Sequence, residues 1–459
     1  NQVSALTTNQ IGALNTADIR ALNTTNIASL TTDQVVALNS NQVTALSSTQ
    51  FAALNTSQLS SMETGDIAAV SSTQLAAINT AQTAALTTDQ ISVISSTAIR
   101  ALNTSDTAAL TTDQIVALNT NQLGALSTTQ VAALNTNQVS AIETTDIGAL
   151  NTAAVRALST AAVGALTTDQ IVAMTSTQIA ALGTTQVAAL NTNQVSALET
   201  TDIAALTTAQ VAVLNTAHAT ALTTLHVGAL TTADMRVFKT ADIAVLSTEQ
   251  ILAWGSAQIV GLSTTQVSAF KNSQITAIDS SAIAGLSTAS VQALNTSAIA
   301  ALTTAQINAL SATQVASLVT RQIAALTTTQ INVISTADIA ALTTTQVAVL
   351  TSNQVAALST DQFSAFNTND LRALSTSAVA VLGTAQIASL NSSQIGALTT
   401  AQVSALKTAQ ITAMSTEEIT GLSTAQVRAL STAAVASLRT DQVATLSSSQ
   451  IGAMSTAQF

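Results

Sequence analysis

The chain has no cysteine, no proline and no tyrosine in 459 residues. Without cysteine it has no disulfides, no thiolate zinc site and no thiol catalysis, and its redox compartment is left open. Aromatic residues make up 2% and charged residues 7% of the chain, against a hydrophobic fraction of 47%. That balance argues against a solvated disordered chain, which needs high charge and little apolar content. The net charge of −11 is thinly spread. Nothing basic clusters to neutralise phosphates, so nucleic acid and anionic membranes are disfavoured as partners. Long hydrophobic runs are lacking too. Thr, Ser, Asn or Gln interrupts every eight residues, so no segment reaches the length of a membrane span. The 14 glycines are dispersed and never form G-x-G-x-x-G, which removes the Gly-rich phosphate loop.

What is present is one phrase, repeated. Large apolar residues recur at eight-residue steps from Leu6 to Met454 without insertion or deletion, and Leu14, Leu22, Leu30, Leu158, Phe238, Trp254 and Phe366 all fall on that grid. The unit reads Ala-Leu-[Asn/Thr/Ser]-Thr-x-Gln-[Val/Ile]-x. A continuous helix cannot use it, because eight residues at about 100° each rotate the apolar stripe by about 80° per repeat. A regular strand fits poorly, since Leu206 and Val211 are five apart and face opposite sides. Short capped helices fit every position. Asn, Thr or Ser before the helix is the preferred N-cap set, and Gln three residues later completes a capping box. The preceding Leu and the following Val or Ile are the N′ and N4 partners of a hydrophobic staple. In Leu246–Ile251, Ser247 is the cap, Gln250 is N3 and Ile251 is N4.

Of the 58 occurrences of the Gln position, 37 are Gln, nine Asp and one Glu, all acceptors suited to a first turn. At the Val position only Thr83, Thr107 and Ala219 depart from a larger apolar residue. The expected fold is therefore all-α: a tightly wound solenoid of very short helices, one per octad, each of one and a half to two turns. Two octads per coil are expected, with successive octads nearly equivalent. A β-solenoid is the alternative, favoured by abundant Val, Ile and Thr but opposed by Ala in most octads and by missing Asn-Gly turns. The array spans residues 1–459 as a single domain. It opens at Asn1 and closes at Phe459 inside a repeat, which reads as a segment of a longer chain or filament.

Few residues suggest chemistry. His218 and His226 occupy the Gln position in consecutive octads. They could pair at a metal, but such sites need three or four converging ligands, and substitution for Gln is the simpler reading. Three octads carry an acidic cap, with Glu63 and Asp66, Glu143 and Asp146, and Glu199 and Asp202. Ordinary capping outweighs calcium there, since calcium loops bring more carboxylates. Arg20, Arg100, Arg156, Arg236, Arg372 and Arg428 share the position after Val/Ile, and the first five follow Asp or Ala at the Gln position. That pattern hints at local pairing or at a shared ancestral variant, and it makes no basic patch. Trp254, Phe238 and Phe270 sit at the Leu position of nearby units and read as core filling. No catalytic, cofactor-binding or metal residue is assigned, and no enzyme is expected, because near-identical units offer no unique pocket.

The run Leu206–Thr216 resembles the octapeptide arrays of large secreted bacterial adhesin-like or RTX-type surface proteins, and the resemblance covers the whole chain. It implies export, an extracellular or cell-surface location, and a stalk, filament or matrix role. The glycine–aspartate nonapeptides of RTX proteins are absent, so no calcium dependence carries over. Expected partners are other copies, laterally or end to end, with surface polysaccharide as a further candidate. An ice- or polysaccharide-binding module using Thr rows is the alternative. Under that reading one face should be purer than the others.

Overall fold

The computed structural model describes residues 2–459. After a short 3-10 turn at Val3–Ala5, 56 α-helices follow one another from Thr8–Gly12 to Ser448–Gly452, with no strand among the described residues. The all-α solenoid is thus the fold, and the β-solenoid is not. The chain divides into two compact units, residues 1–238 and 239–459. The same helix–corner–helix pattern builds each.

Each octad follows one local logic. In the helix Ser40–Ala45, Asn39 is extended (φ −102°, ψ 167°) and its side chain accepts from the N–H groups of Asn41 and Gln42. The N–H of Asn39 donates back to Gln42 Oε1 at 2.8 Å, closing the capping box. At the other end Leu46 turns extended (φ −58°, ψ 133°) while its N–H tightens the last turn onto Val43 O. The next cap, Ser47, follows at once and is extended as well. Helices run from four residues, as in Ser72–Leu75, to six, as in Ser40–Ala45. At 3.6 residues per turn this is slightly shorter than expected, because Leu and cap together are spent on the corner. No described residue has positive φ and no peptide bond is cis. The corners are built from ordinary extended residues, so neither glycine nor proline is required.

A helix this short does not survive alone. It persists through packing, and the packing partner corrects the expected coil. Within each unit a helix lies against the helix three places away: Thr16–Ala21 on Ser40–Ala45, Thr80–Ala85 on Thr104–Ala109, Ser352–Ala357 on Thr376–Val379. A coil therefore holds three octads, 24 residues, and not two. Away from the two ends, the octads contribute the Val/Ile and Leu positions to the interior, as with Ile91 and Ile94 or Val131 and Leu134, all at most 3% exposed. Cap, Thr and the following residue face solvent, so the exposure pattern repeats every eight residues. Phe363 and Phe366 meet edge to face at 5.8 Å, and Trp254 meets Phe270 at 6.2 Å. These aromatics and buried Phe238 fill core space, as expected.

Neighbouring coils approach closely at two glycines near helix ends, Gly396 directly after Ile395 and Gly421 two residues after Ile419. A Cβ on Gly421 would lie 2.7 Å from Ser392 O, and one on Gly396 would lie 2.8 Å from Gly421 O. Glycine at these two positions lets the backbones approach. Among the described residues no helix is long and apolar enough to cross a membrane.

Candidate functional site: the glutamine bridge between coils

The polar position that recurs in the interior is N3, most often Gln. Gln122, Gln322 and Gln442 are at most 1% exposed. The capping box uses only half of this amide. Gln122 Oε1 accepts from its own cap, Asn119 N, at 2.8 Å. Its Nε2 donates to Ile91 O and to Ile94 O, each at 2.7 Å. Those carbonyls end a helix of the preceding coil, 31 and 28 residues back. The same pair of bonds is made by Gln42 to Ile11 O and Leu14 O, and by Gln354 to Ile323 O and Leu326 O. A helix leaves its first N–H groups and last C=O groups without internal partners. A bridging Gln such as Gln122 closes one such N–H in its own helix and two such C=O groups in the coil before it. We call this the amide bridge.

This second task explains a preference in the sequence. A capping box accepts Glu as readily as Gln, yet Gln outnumbers Glu 37 to one at this position. Glutamate offers the acceptor but no donor. The scarcity of Glu was the available signal for a donor, and capping alone does not account for it.

Glu418 shows the cost. Its Oε2 accepts from Ser415 N, while Oε1, where a Gln would carry its amide, is buried without a partner. Replacing Glu418 with Gln is expected to raise stability by about 1–3 kcal/mol, the cost of one unsatisfied buried group. Thermal or urea denaturation of the two proteins measures this. An unchanged or lower midpoint would contradict the role given to Nε2.

Histidine also takes the Gln position. His226 Nδ1 accepts from Thr223 N at 3.2 Å and its Nε2 meets Leu198 O at 2.8 Å. His218 Nε2 meets Leu190 O at 2.8 Å, and its Nδ1 is buried without a partner. The two rings thus stand in for Gln in part: His226 keeps the capping bond and one of the two carbonyl contacts, and His218 keeps one carbonyl contact. No group of three or more potential ligands gathers among the described residues. Burial pushes His226 below its ordinary value of 6.5, against the upward pull of Leu198 O and of Asp202. The fold therefore favours the neutral ring. Its stabilisation is present above the unfolded value of 6.5 and is lost as pH falls from there through the lower folded value. Substituting His226 with Gln should remove this part of the acid sensitivity, measured by comparing unfolding midpoints in neutral and mildly acidic buffer.

At three octads aspartate reverses the direction of the bridge. Asp66 accepts from Ser40 Oγ and Asp202 from Ser176 Oγ, both at 2.7 Å, and Asp146 accepts from Thr120 Oγ1. Each donor lies 26 residues back, in the preceding coil. Burial raises the carboxyls of Asp66, Asp106 and Asp370 above the ordinary 3.8, and hydrogen bonds from Ser40, Asn103 and Asn367 respectively hold them back. The acidic caps differ from expectation. Glu63, Glu143 and Glu199 make no side-chain capping bond. A glutamate side chain is too long to curl onto its own N2 or N3 amide, which is why caps are Asp, Asn, Ser or Thr. The arginines do not pair with the neighbouring Asp. The ion pair among the described residues joins Arg439 to Asp441 at 3.1 Å, on the surface. Arg156 instead donates through Nε to Ala181 O of the next coil. The position after Val points outward while the Gln position points into the stack, so the two cannot meet.

A ladder of helix, corner and amide bridge is what an octad that opens Ala-Leu-Thr-Thr-Ala-Gln produces. The model of one repeat family matches residues 11–48, 59–272, 275–312 and 331–456 in successive segments. The chain belongs to the ALTTAQ repeat family. Among curated proteins none matches it. In ALTTAQ terms, the Leu and Gln of the motif are the two residues that turn inward, and the Thr-Thr pair supplies the cap and the first exposed turn.

Proposed function

We propose that this ALTTAQ array is a structural protein, an extracellular or cell-surface spacer that forms a filament, stalk or matrix fibre by stacking and self-association. One observation supports the reading above others. The recurrent buried chemistry, the Gln amide, is used up where it occurs, Oε1 in capping its own helix and Nε2 in joining that helix to the coil before it, as at Gln122. Such a device adds length by adding coils and leaves no common group free for catalysis. Electron microscopy of the purified protein over a range of concentrations tests the self-association, together with sedimentation velocity. Filaments or bundles that grow with concentration support it, and single particles at every concentration contradict it.

The Thr-row alternative finds less support. With three octads per coil, residues 24 apart share one edge. Departures from Thr at the first helical position fall on all three edges, for example Ser40, Ser48 and Ser176. No edge is kept purer, as a flat periodic ligand would require. Ice-recrystallisation inhibition by the purified protein would restore that alternative.

A further inference from the structure

Two complete coils have neither a Gln bridge nor a histidine in its place; the longer Gln-free run of His218, His226, Asp234 and Asp242 keeps the Nε2 contacts of its histidines to Leu190 O and Leu198 O. In the first, the three Gln positions hold Asp146, Ala154 and Ala162. In the second they hold Ala282, Ser290 and Ala298. Each set covers all three edges of a coil, so no Gln crosses the interface below it. The helices still pack there: Thr128–Ala133 on Thr152–Ala157 in the first seam, and Ser256–Val260 on Ser280–Ala284 in the second. What remains of the inter-coil hydrogen bonding is peripheral. In the first seam Thr120 Oγ1 donates to Asp146. In the second, Ser256 Oγ lies 3.1 Å from Ser281 Oγ and Asn272 Nδ2 donates to Ser297 Oγ, all exposed. The carbonyls of Leu126 and Leu134, and of Trp254, Leu262 and Phe270, occupy the acceptor places and face no Gln. The second seam carries an independent mark of poor satisfaction: Trp254 Nε1 is buried without a partner. Other gaps in the ladder are partial, as at Ala98 and Asp106, where Gln114 in the same coil still bridges to Leu86 O.

We infer that these two seams are built-in opening points, at which the stacked coils separate first under heat, denaturant or load. In a linear array stability is a sum of unit and nearest-neighbour terms. An interface without bridges is then a weak link whose position is set by sequence. The solenoid opens locally there while bridged coils on either side stay closed. The opening exposes backbone carbonyls and core residues at fixed places, which gives the array a defined site of extension or cleavage.

Hydrogen exchange with mass spectrometry on the full chain tests this. Amides in Thr152–Ala157, Thr160–Ala165, Ser280–Ala284 and Thr296–Ala301 are expected to exchange at least about tenfold faster than those in Thr184–Ala188 and Thr328–Val333. The double substitution Ala154→Gln with Ala162→Gln should slow exchange at the first seam toward the bridged rate. In the opposite direction, Gln314→Ala, Gln322→Ala and Gln330→Ala together should create a third fast-exchanging seam. Even protection along the wild-type chain, or a triple variant whose exchange does not rise at its new seam, overturns the inference. The wild-type profile carries the test even if a substituted chain fails to fold.

Discussion

Replacing Gln130 with Glu lowers stability more than replacing it with Ala. Gln130 Oε1 accepts from Ser127 N at 2.9 Å, and Nε2 donates to Ile99 O at 2.9 Å and Leu102 O at 3.0 Å. Alanine removes the bridge and leaves three backbone groups to find water, at a cost of about 1–3 kcal/mol. Seven octads already carry Ala at this position, so the fold survives it. Glutamate keeps the volume and the bond to Ser127 N but turns a donor into a buried anionic acceptor facing two carbonyl oxygens. Beyond the two lost carbonyl bonds, the buried oxygen left without a donor, as at Glu418, costs a further ~1–3 kcal/mol. The carboxyl's folded value is pushed above its unfolded value of about 4.3. Its stability contribution is therefore present below that value and is lost as pH rises through the folded one. The Glu variant should fall below the Ala variant at neutral pH and recover relative to it in acid, below the unfolded carboxyl value. Urea midpoints under the two conditions decide it. A Glu variant as stable as wild type at neutral pH would mean that packing, rather than donation, selects Gln.

The second large effect concerns length. Deleting the whole octad Ser127–Leu134 leaves the eight-residue grid intact. Gln138 now bridges to Thr107 O and Leu110 O. After the deletion it would find Ile99 O and Leu102 O at the same sequence separation. Because each octad is an equivalent corner of the coil, the deleted chain should refold in register, with a thermal midpoint within about 3 °C of wild type. Deleting only residues 131–134 puts Gln and Val out of step with the coil beneath. It should abolish cooperative unfolding across that point and give two separate transitions. Calorimetry of both deletions measures this. Equal damage from the two would show that the octad is not the structural unit.

These expectations rest on features that were unequally visible in the sequence. The octad grammar was legible because capping is local: cap, N3 and N4 lie within five residues, and their side-chain types are diagnostic. The inward turn of Leu and Val followed from the same reading. The number of octads per coil was not legible. Every octad carries the same pattern, and departures at the Gln position show no period of two or three, so nothing in the string marks residue 42 as the neighbour of residues 11 and 14. The donor half of Gln was hidden for the same reason, since its acceptors are backbone carbonyls that have no sequence identity. The histidines were read correctly as Gln substitutes. The arginine pairing failed because adjacency in the octad places Arg outside and Asp inside.

The coil of three octads is the central claim, and a chain without cysteine allows a direct test by cross-linking. Ser256 Oγ and Ser281 Oγ are 3.1 Å apart although 25 residues separate them. Cysteines at these two positions should form a disulfide quantitatively under mild oxidation, whereas cysteines at Ser256 and Asn272, two octads apart, should not. Non-reducing peptide mapping of the two double variants gives the answer. Efficient bonding of the 256–272 pair with none for 256–281 would show a coil of two octads and contradict the account.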